Sequence, residues 1–237
     1  MEIQDILVCL TVFFANIVEA ITGFAGTMLA MPVAMSILGI QEAKVILNVV
    51  AIFVSTALAC KNTGAIQKKE ATKITGFMLL GMVGGLEILR LFPVLFLEKA
   101  YGILLLLVAI KGLVFHKSIS LPKWMGVIVL LGAGLLHGMF LSGGSLLVIY
   151  AVAVLKEKSV IRATLAPVWL ILNSFILIYD ILKQNFTTQT LVLSALCLPA
   201  AALALWIGNR LHKKIPQTFF IRLTYSLLIL SGLTLLV

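Results

Sequence analysis

Thr22-Gly23-Phe24-Ala25-Gly26-Thr27 and, much later in the chain, Phe140-Leu141-Ser142-Gly143-Gly144-Ser145 are small, uncharged, glycine-bearing breaks. Each interrupts a stretch otherwise apolar enough to lie in a bilayer. Residues 6–40 hold one charge, Glu19, and residues 124–155 hold none when His137 is neutral. Glycine weakens a helix and lets backbones approach closely, so each stretch is expected to be two short helices meeting at a tip. Non-helical backbone at membrane depth survives only where protein buries it or where it lines a wet cavity. Paired breaks in corresponding halves of a membrane chain point to a transporter's substrate site. Glycines that serve only close helix packing are the plainer alternative.

The bulk composition sets the class. The chain is 62% hydrophobic and 11% charged, with a mean hydropathy of +1.17, whereas soluble domains carry about 25% charged residues. Apolar runs recur along the whole length without the alternation of barrel strands, so the expected fold is an all-α polytopic membrane protein. The longest hydrophilic stretch, 61–73, is too short for a soluble domain, and no P-loop pattern is present. Energy would come from an ion gradient, the substrate's own gradient or a partner chain. The net charge of +9 reads as cytoplasmic-loop Lys and Arg rather than as a nucleic-acid footprint. Cys9, Cys60 and Cys197 lie scattered in apolar segments and read as small buried hydrophobes. The N-terminus lacks a basic signal-peptide region, so the first segment is expected to stay.

Apolar segments are expected at about 6–21, 24–39, 43–60, 74–90, 94–114, 124–140, 143–155, 160–180, 190–208 and 217–237. A shift of 118 positions aligns the two parts of the chain. Ala15 falls on Ala133, Ala20 on Gly138, Gly26 on Gly144, Thr27 on Ser145, Lys44 on Arg162 and Ser55 on Asn173. Further on, Pro93 pairs with Pro216 and Tyr101 with Tyr225. The expectation is an internal repeat of about five segments: a first membrane repeat over 1–114, a cytoplasmic linker over 115–123 and a second repeat over 124–237.

An odd number of segments inverts the second repeat relative to the first. The loops 61–73, 111–123, 156–162 and 209–216 hold 13 of the 18 basic residues, and the positive-inside rule makes that face cytoplasmic with both termini outside. Ten full spans and six to eight spans plus two broken pairs or re-entrant hairpins leave the loops on the same sides. The short segments 24–39 and 143–155, with their uncharged tips, favour the hairpins.

The stretches "ITGFAGTMLAMP" (21–32), "GIQEAKVILNVVAIFVSTALA" (39–59) and "GLLHGMFLSGGSLLVIYAVAVL" (134–155) together resemble the TauE/SafE sulfite exporter family of bacterial membrane proteins. The resemblance covers nearly the whole chain, duplication included. It departs at Ala25, which interrupts the glycine run, and at Tyr150, which stands where Pro32 has its counterpart. It implies an inner-membrane protein that transports sulfite, sulfonates or related organic anions.

Ionisable groups at bilayer depth cost about 2.5–3.5 kcal/mol on insertion scales, so each needs a reason. Glu19 and His137 fall at corresponding places just before the two tips, where an acid and an imidazole suit a proton-coupling pair. A wet vestibule beside Glu19 and a helix-to-helix hydrogen bond at His137 are the structural alternative. Substrate contacts are expected from Asn16, Thr22, Thr27, Asn48, Ser142, Ser145 and Asn173, and from the backbone at Gly23, Gly26, Gly143 and Gly144. Ser55 and Ser174 belong to the same polar set. Helix N-termini after the tips add unpaired N–H groups that can hold an anion without a buried cation.

Lys44 and Arg162 start corresponding segments and are expected to snorkel, or to attract anions at the two mouths. Glu87 and Arg90 should pair within one helix. Asp180, Lys183, His116 and His212 lie at segment ends, where solvated charge is expected. No metal spacing and no nucleophile–base pair is evident, so neither cofactor nor catalysis is expected. The partners are a small anionic substrate and the lipid bilayer, with no nucleic acid; a homodimer stays open beside the monomer. The functional expectation is a secondary transporter, an exporter of small anions by alternating access. A non-transporting membrane scaffold and a passive anion channel are the alternatives.

Overall fold

The computed structural model describes residues 3–61, 63–114 and 122–236; most of the expected linker, with His116 and Lys117, lies outside them. Among the described residues ten α-helices follow one another: α1 (Ile3–Thr22), α2 (Gly26–Leu38), α3 (Ile40–Lys61), α4 (Lys68–Leu91) and α5 (Val94–Val114), then α6 (Lys123–Phe140), α7 (Gly144–Val154), α8 (Lys158–Leu182), α9 (Thr188–Lys214) and α10 (Gln217–Leu236). A short 3₁₀ turn at Thr63–Ala65 precedes α4. No strand occurs among the described residues. Helices α1, α3, α4, α6, α8 and α9 are long and apolar enough to cross a membrane.

Apolar residues point outward as well as inward. Phe14, Leu80, Ile103, Ile128, Phe175, Leu203 and Trp206 are exposed, as suits helices bathed in acyl chains. The buried polar set is equally distinctive: Asn16, Glu19, Asn48, Ser55, His137 and Asn173 lie inside. The bilayer is the apolar solvent here, and the molecule keeps its polar side chains for itself.

The helices pair across the chain. α4 lies along α6, α1 along α9, α5 against α10 and α3 against α8. Lipid supplies no hydrophobic drive for such pairing, so close backbone packing must do so. Gly81 and Gly85 of α4 and Gly134 and Gly138 of α6 are each spaced by four. A Cβ added at Gly81 or Gly85 would lie 2.9 Å from the carbonyl carbon of Leu131 or Leu135. One at Gly134 would lie 2.8 Å from that of Met78. Gly208 performs the same service for α9, where a Cβ would come within 2.6 Å of the Ile17 oxygen of α1.

Which loops share an end of the bundle follows from side-chain contacts. Gln67 N–H donates to Thr164 Oγ1 at 3.1 Å, Tyr150 Oη to Glu70 at 2.6 Å and Lys158 Nζ to the His212 carbonyl at 2.7 Å. The starts of α4 and α8 and the ends of α7 and α9 therefore meet at one end. At the other, the start of α3, the ends of α4 and α8 and the loop after α8 surround a common opening.

Helices α2 and α7 have 13 and 11 residues, about 20 and 16 Å at 1.5 Å per residue, too short to cross. α7 runs back along α6: a Cβ at Gly126 would meet the Tyr150 ring, one at Gly132 would meet Leu146, and one at Gly143 would meet Ala133 and His137. Cys9 and Cys197, on α1 and α9, hold their sulfurs 3.6 Å apart. Cys60 is exposed rather than buried.

The glycine contacts make a test. Gly85→Val should lower the Tm of the purified protein by several degrees, through overpacking of about 1–3 kcal/mol. Gly84→Val, where a Cβ meets nothing within 4 Å, should stay within about 0.5 kcal/mol of the parent. Equal melting temperatures for the two variants would show that the α4–α6 approach is not close.

Candidate functional site

Helix α1 ends because Gly23 takes φ of 86°, a left-handed conformation that side chains with a Cβ disfavour. Its N–H still reaches the Glu19 carbonyl at 2.6 Å. The hydroxyl of Thr22 then accepts from the Phe24 and Ala25 N–H groups at 3.4 and 3.2 Å. At the second break the left-handed residue is Leu141, with φ of 54°, which stands 118 positions after Gly23. The glycines Gly143 and Gly144 follow it with ordinary right-handed or helical backbone. They give close approach instead: a Cβ at Gly144 would lie 3.3 Å from the Phe24 carbonyl carbon, on the opposite tip.

Each left-handed residue offers a carbonyl that no helix satisfies, and each carbonyl is met from the other part of the chain. Trp169 Nε1 donates to the Gly23 oxygen at 2.7 Å. Thr27 Oγ1 donates to the Leu141 oxygen at 2.6 Å. Tyr101 stacks on Phe140 at 4.9 Å between ring centres and braces the second tip.

Beside this junction lies a cavity of about 20 Å³, room for roughly one water molecule. Asn16, Glu19, Phe24, Thr27, Ala51, Ser55, His137, Trp169 and Asn173 line it. Residues 51 and 55 of α3 and 169 and 173 of α8 are at mid-length of their helices, and the spacing of four puts each pair on one face. Glu19 accepts from the Gly26 N–H at 2.5 Å, so the start of α2 is occupied by a side chain of α1. His137 is 1% exposed, its ring centre is 5.3 Å from that of Trp169, and neither ring nitrogen makes a well-formed hydrogen bond, although the Asn173 side chain and the Leu141 backbone are in reach. The Oδ1 atoms of Asn48 and Asn173 are likewise unpartnered, while Asn48 Nδ2 donates to the Asn173 carbonyl at 3.1 Å.

Of the residues expected to bind substrate, Asn16, Thr27 and Asn173 line the cavity together with Glu19 and His137. Asn16 spends its amide on the Val12 carbonyl at 2.8 Å. Thr22, Gly23 and Gly26 shape the first tip without facing the cavity. Ser142 and Ser145 are tied into the second, Ser142 Oγ donating to the Phe140 oxygen and Ser145 Oγ to the Ser142 oxygen, both at 2.9 Å. Gly143 and Gly144 are packing surfaces, and Asn48 stands one turn away on α3. Trp169 and Ala51 carried no signal a single sequence could show, since a lone Trp or Ala in an apolar segment reads as core.

Other expectations need correcting. Lys44 and Arg162 do not snorkel; both are buried, because each finds a polar partner inside. Lys44 Nζ donates to the Gly138 carbonyl at 2.8 Å, and Arg162 bonds Asn209 Oδ1 beside Gly23. Asp180 is 1% exposed rather than solvated, accepting from Asn185 Nδ2 at 2.8 Å. His212 is buried too, its Nδ1 within 2.8 Å of the Ile21 oxygen. Glu87 and Arg90 do pair, at 3.3 Å and more than half exposed, which stabilises little. Among the described residues no three His, Cys, Asp or Glu side chains are grouped as metal ligands.

The cavity thus lies at mid-length of α3 and α8, beside the Gly23 and Leu141 turns, and is lined by one acid, one imidazole and uncharged polar side chains. No curated protein and no solved structure matches the chain. A family model described as "Sulfite exporter TauE/SafE" matches residues 8–235, nearly the whole length. The chain belongs to the TauE/SafE sulfite exporter family of membrane transporters.

Proposed function

We propose that the chain is a secondary transporter that exports small anions, such as sulfite, organosulfonates or related organic acids, by alternating access around the two tips. The observation that carries this is His137, a buried imidazole whose nitrogens make no well-formed hydrogen bond, in a cavity lined from both parts of the chain. A protonated imidazole donates from both nitrogens, and the Asn173 side chain stands beside it. A cavity with room for one water does not admit a sulfite or sulfonate, so the tips must part for loading. The bonds that would exchange are Thr27 to the Leu141 oxygen and Trp169 to the Gly23 oxygen.

The helix pairing supports an inverted repeat. Exchanging each helix for its counterpart five places on turns α4–α6 into α9–α1, and leaves α5–α10 and α3–α8 unchanged. The return of α7 along α6 supports a re-entrant hairpin for each tip. In this reading Gly39, Phe92 and Gln184 face outside, and the end holding Lys69 and Lys214 is cytoplasmic. Cysteines placed at Lys69, Lys117 and Lys214 should be shielded from an impermeant thiol reagent in intact cells, and one at Gln184 should react. Labelling at Lys117 from outside would break the topology.

Gly144→Leu should abolish anion flux in proteoliposomes while leaving most of the protein inserted, because the added side chain meets the opposite tip at Phe24. Gly26→Leu should do the same through Glu19, since even a Cβ there would lie 2.8 Å from the Glu19 Cβ. Normal flux in both variants moves the site away from the tips.

Glu19 gives a reason for proton coupling. An anion entering beside an ionised carboxylate in a dry cavity is repelled, so anion and proton favour binding together. Flux measured at imposed pH gradients and clamped voltage should respond to the pH gradient in the parent protein. Glu19→Gln and His137→Gln should each lose that response yet still be melted at higher temperature by bound anion. The inside-negative potential alone offers an exported anion about 2.3 kcal/mol per charge per 100 mV. A parent protein that follows voltage only therefore removes the coupling role and leaves the transporter role standing.

A further inference from the structure

At the end of the bundle where α3 and α9 begin, an open vestibule of about 320 Å³ is lined by Ile40, Gln41, Lys44, Leu86, Leu89, Arg90, Tyr179, Lys183 and Asn185. Three of those side chains are cations, and none is a carboxylate. Lys44 is the most buried of the three, 2% exposed, and its ammonium donates to a neutral acceptor, the Gly138 carbonyl. An ammonium has three donors and no acceptor, so this group is built to take more than a carbonyl. Asp180 and Glu87 are carboxylates near the lining, and Glu42 stands two residues before Lys44 in the first turn of α3. Asp180 attracts Lys44 through space while its Oδ1 is held by Asn185, and Glu87 is held by Arg90. Lys183 leans over the Tyr179 ring at 5.9 Å. The lining thus offers positive charge from three elements to a guest that accepts hydrogen bonds, while the amides of Asn185 and Gln41 are engaged by Asp180.

Lys44 also stands between the vestibule and the central cavity. The carbonyl it bonds belongs to Gly138, the neighbour of His137, which lines that cavity. Along α3 it sits seven and eleven residues before Ala51 and Ser55, which also line it, so all three share one helix face.

We propose that the vestibule is a second anion site, taking a small oxyanion such as sulfite or a sulfonate on Lys44, Lys183 and Arg90. It exchanges that anion with the central cavity as Lys44 trades the Gly138 carbonyl for the substrate. This rests on the transporter function proposed above. Lys44 is the partition: its ammonium follows the anion inward or outward, and the vestibule walls behind it stay in place. A tripod of cations at the mouth raises the local anion concentration and is weakened by salt.

Sidedness makes the test. Proteoliposomes of uniform orientation, fixed by labelling a cysteine at Gln184, are loaded or bathed with sulfite, and initial flux is read from each face. For anion presented at the vestibule face, Lys183→Gln and Arg90→Gln should each raise KM about three- to tenfold and flatten its dependence on ionic strength. The KM from the opposite face should not change. Lys183→Arg should restore most of the parent value, and Lys99→Gln, a cation bonded to the Leu236 carbonyl away from the vestibule, should leave it alone. Unchanged KM from the vestibule face in both charge-removing variants overturns the second site while the transporter stands. Equal rises from both faces also overturn it, because the loss then lies in the shared cavity. A parent protein with no flux of sulfite or of an organosulfonate overturns both proposals at once.

Discussion

Two backbone carbonyls left without a helix partner, in a place without water, govern the centre of this molecule. Gly23 and Leu141 both turn left-handed, and each exposes an oxygen that the bilayer cannot hydrate. The oxygens are satisfied by Trp169 and Thr27, donors from the opposite part of the chain. Leaving either unmet would cost about 1–3 kcal/mol, so the tips are held against one another by need rather than by attraction. The cavity exists because the two tips meet there and leave a gap that side chains of α3 and α8 do not fill.

Charge is distributed to match. The cavity itself has one acid and one imidazole, while the buried cations Lys44 and Arg162 stand behind the tips on opposite sides. Each is bonded to a neutral acceptor, the Gly138 carbonyl or the Asn209 amide oxygen. A cation in the cavity itself would bind an anion tightly and release it slowly. In the proposed transporter a cation set two turns back would attract without trapping.

Much of this was legible in the chain. Hydropathy located all ten helices, because a lipid-facing surface leaves few choices for the residues that build it. The breaks at Gly23 and near Gly144 were legible from glycine, and Glu19, His137 and Asn173 from being polar where polarity is costly. The left-handed residue of the second tip was not, since Leu141 carries no mark of it, and the glycines beside it serve packing. Trp169 was invisible for a similar reason: its indole N–H matters only because Gly23, 146 residues earlier, is brought beneath it. The burial of Asp180 and His212 escaped notice because segment ends look solvated until a neighbouring helix covers them.

The pairing of helices has a consequence for how the chain comes to exist. α4 finds its partner in α6, α1 in α9, α5 in α10 and α3 in α8, so each of these contacts joins a helix made early to one made late. Of the first five helices, α1, α2 and α3 can already touch one another, whereas the glycine-lined face of α4 at Gly81 and Gly85 is uncovered until α6 follows. The pairs α1–α9, α3–α8 and α5–α10 close only as the later helices arrive. Packing is therefore completed late in synthesis, and a chain truncated near its midpoint would present its own half-finished seams to the membrane's quality control.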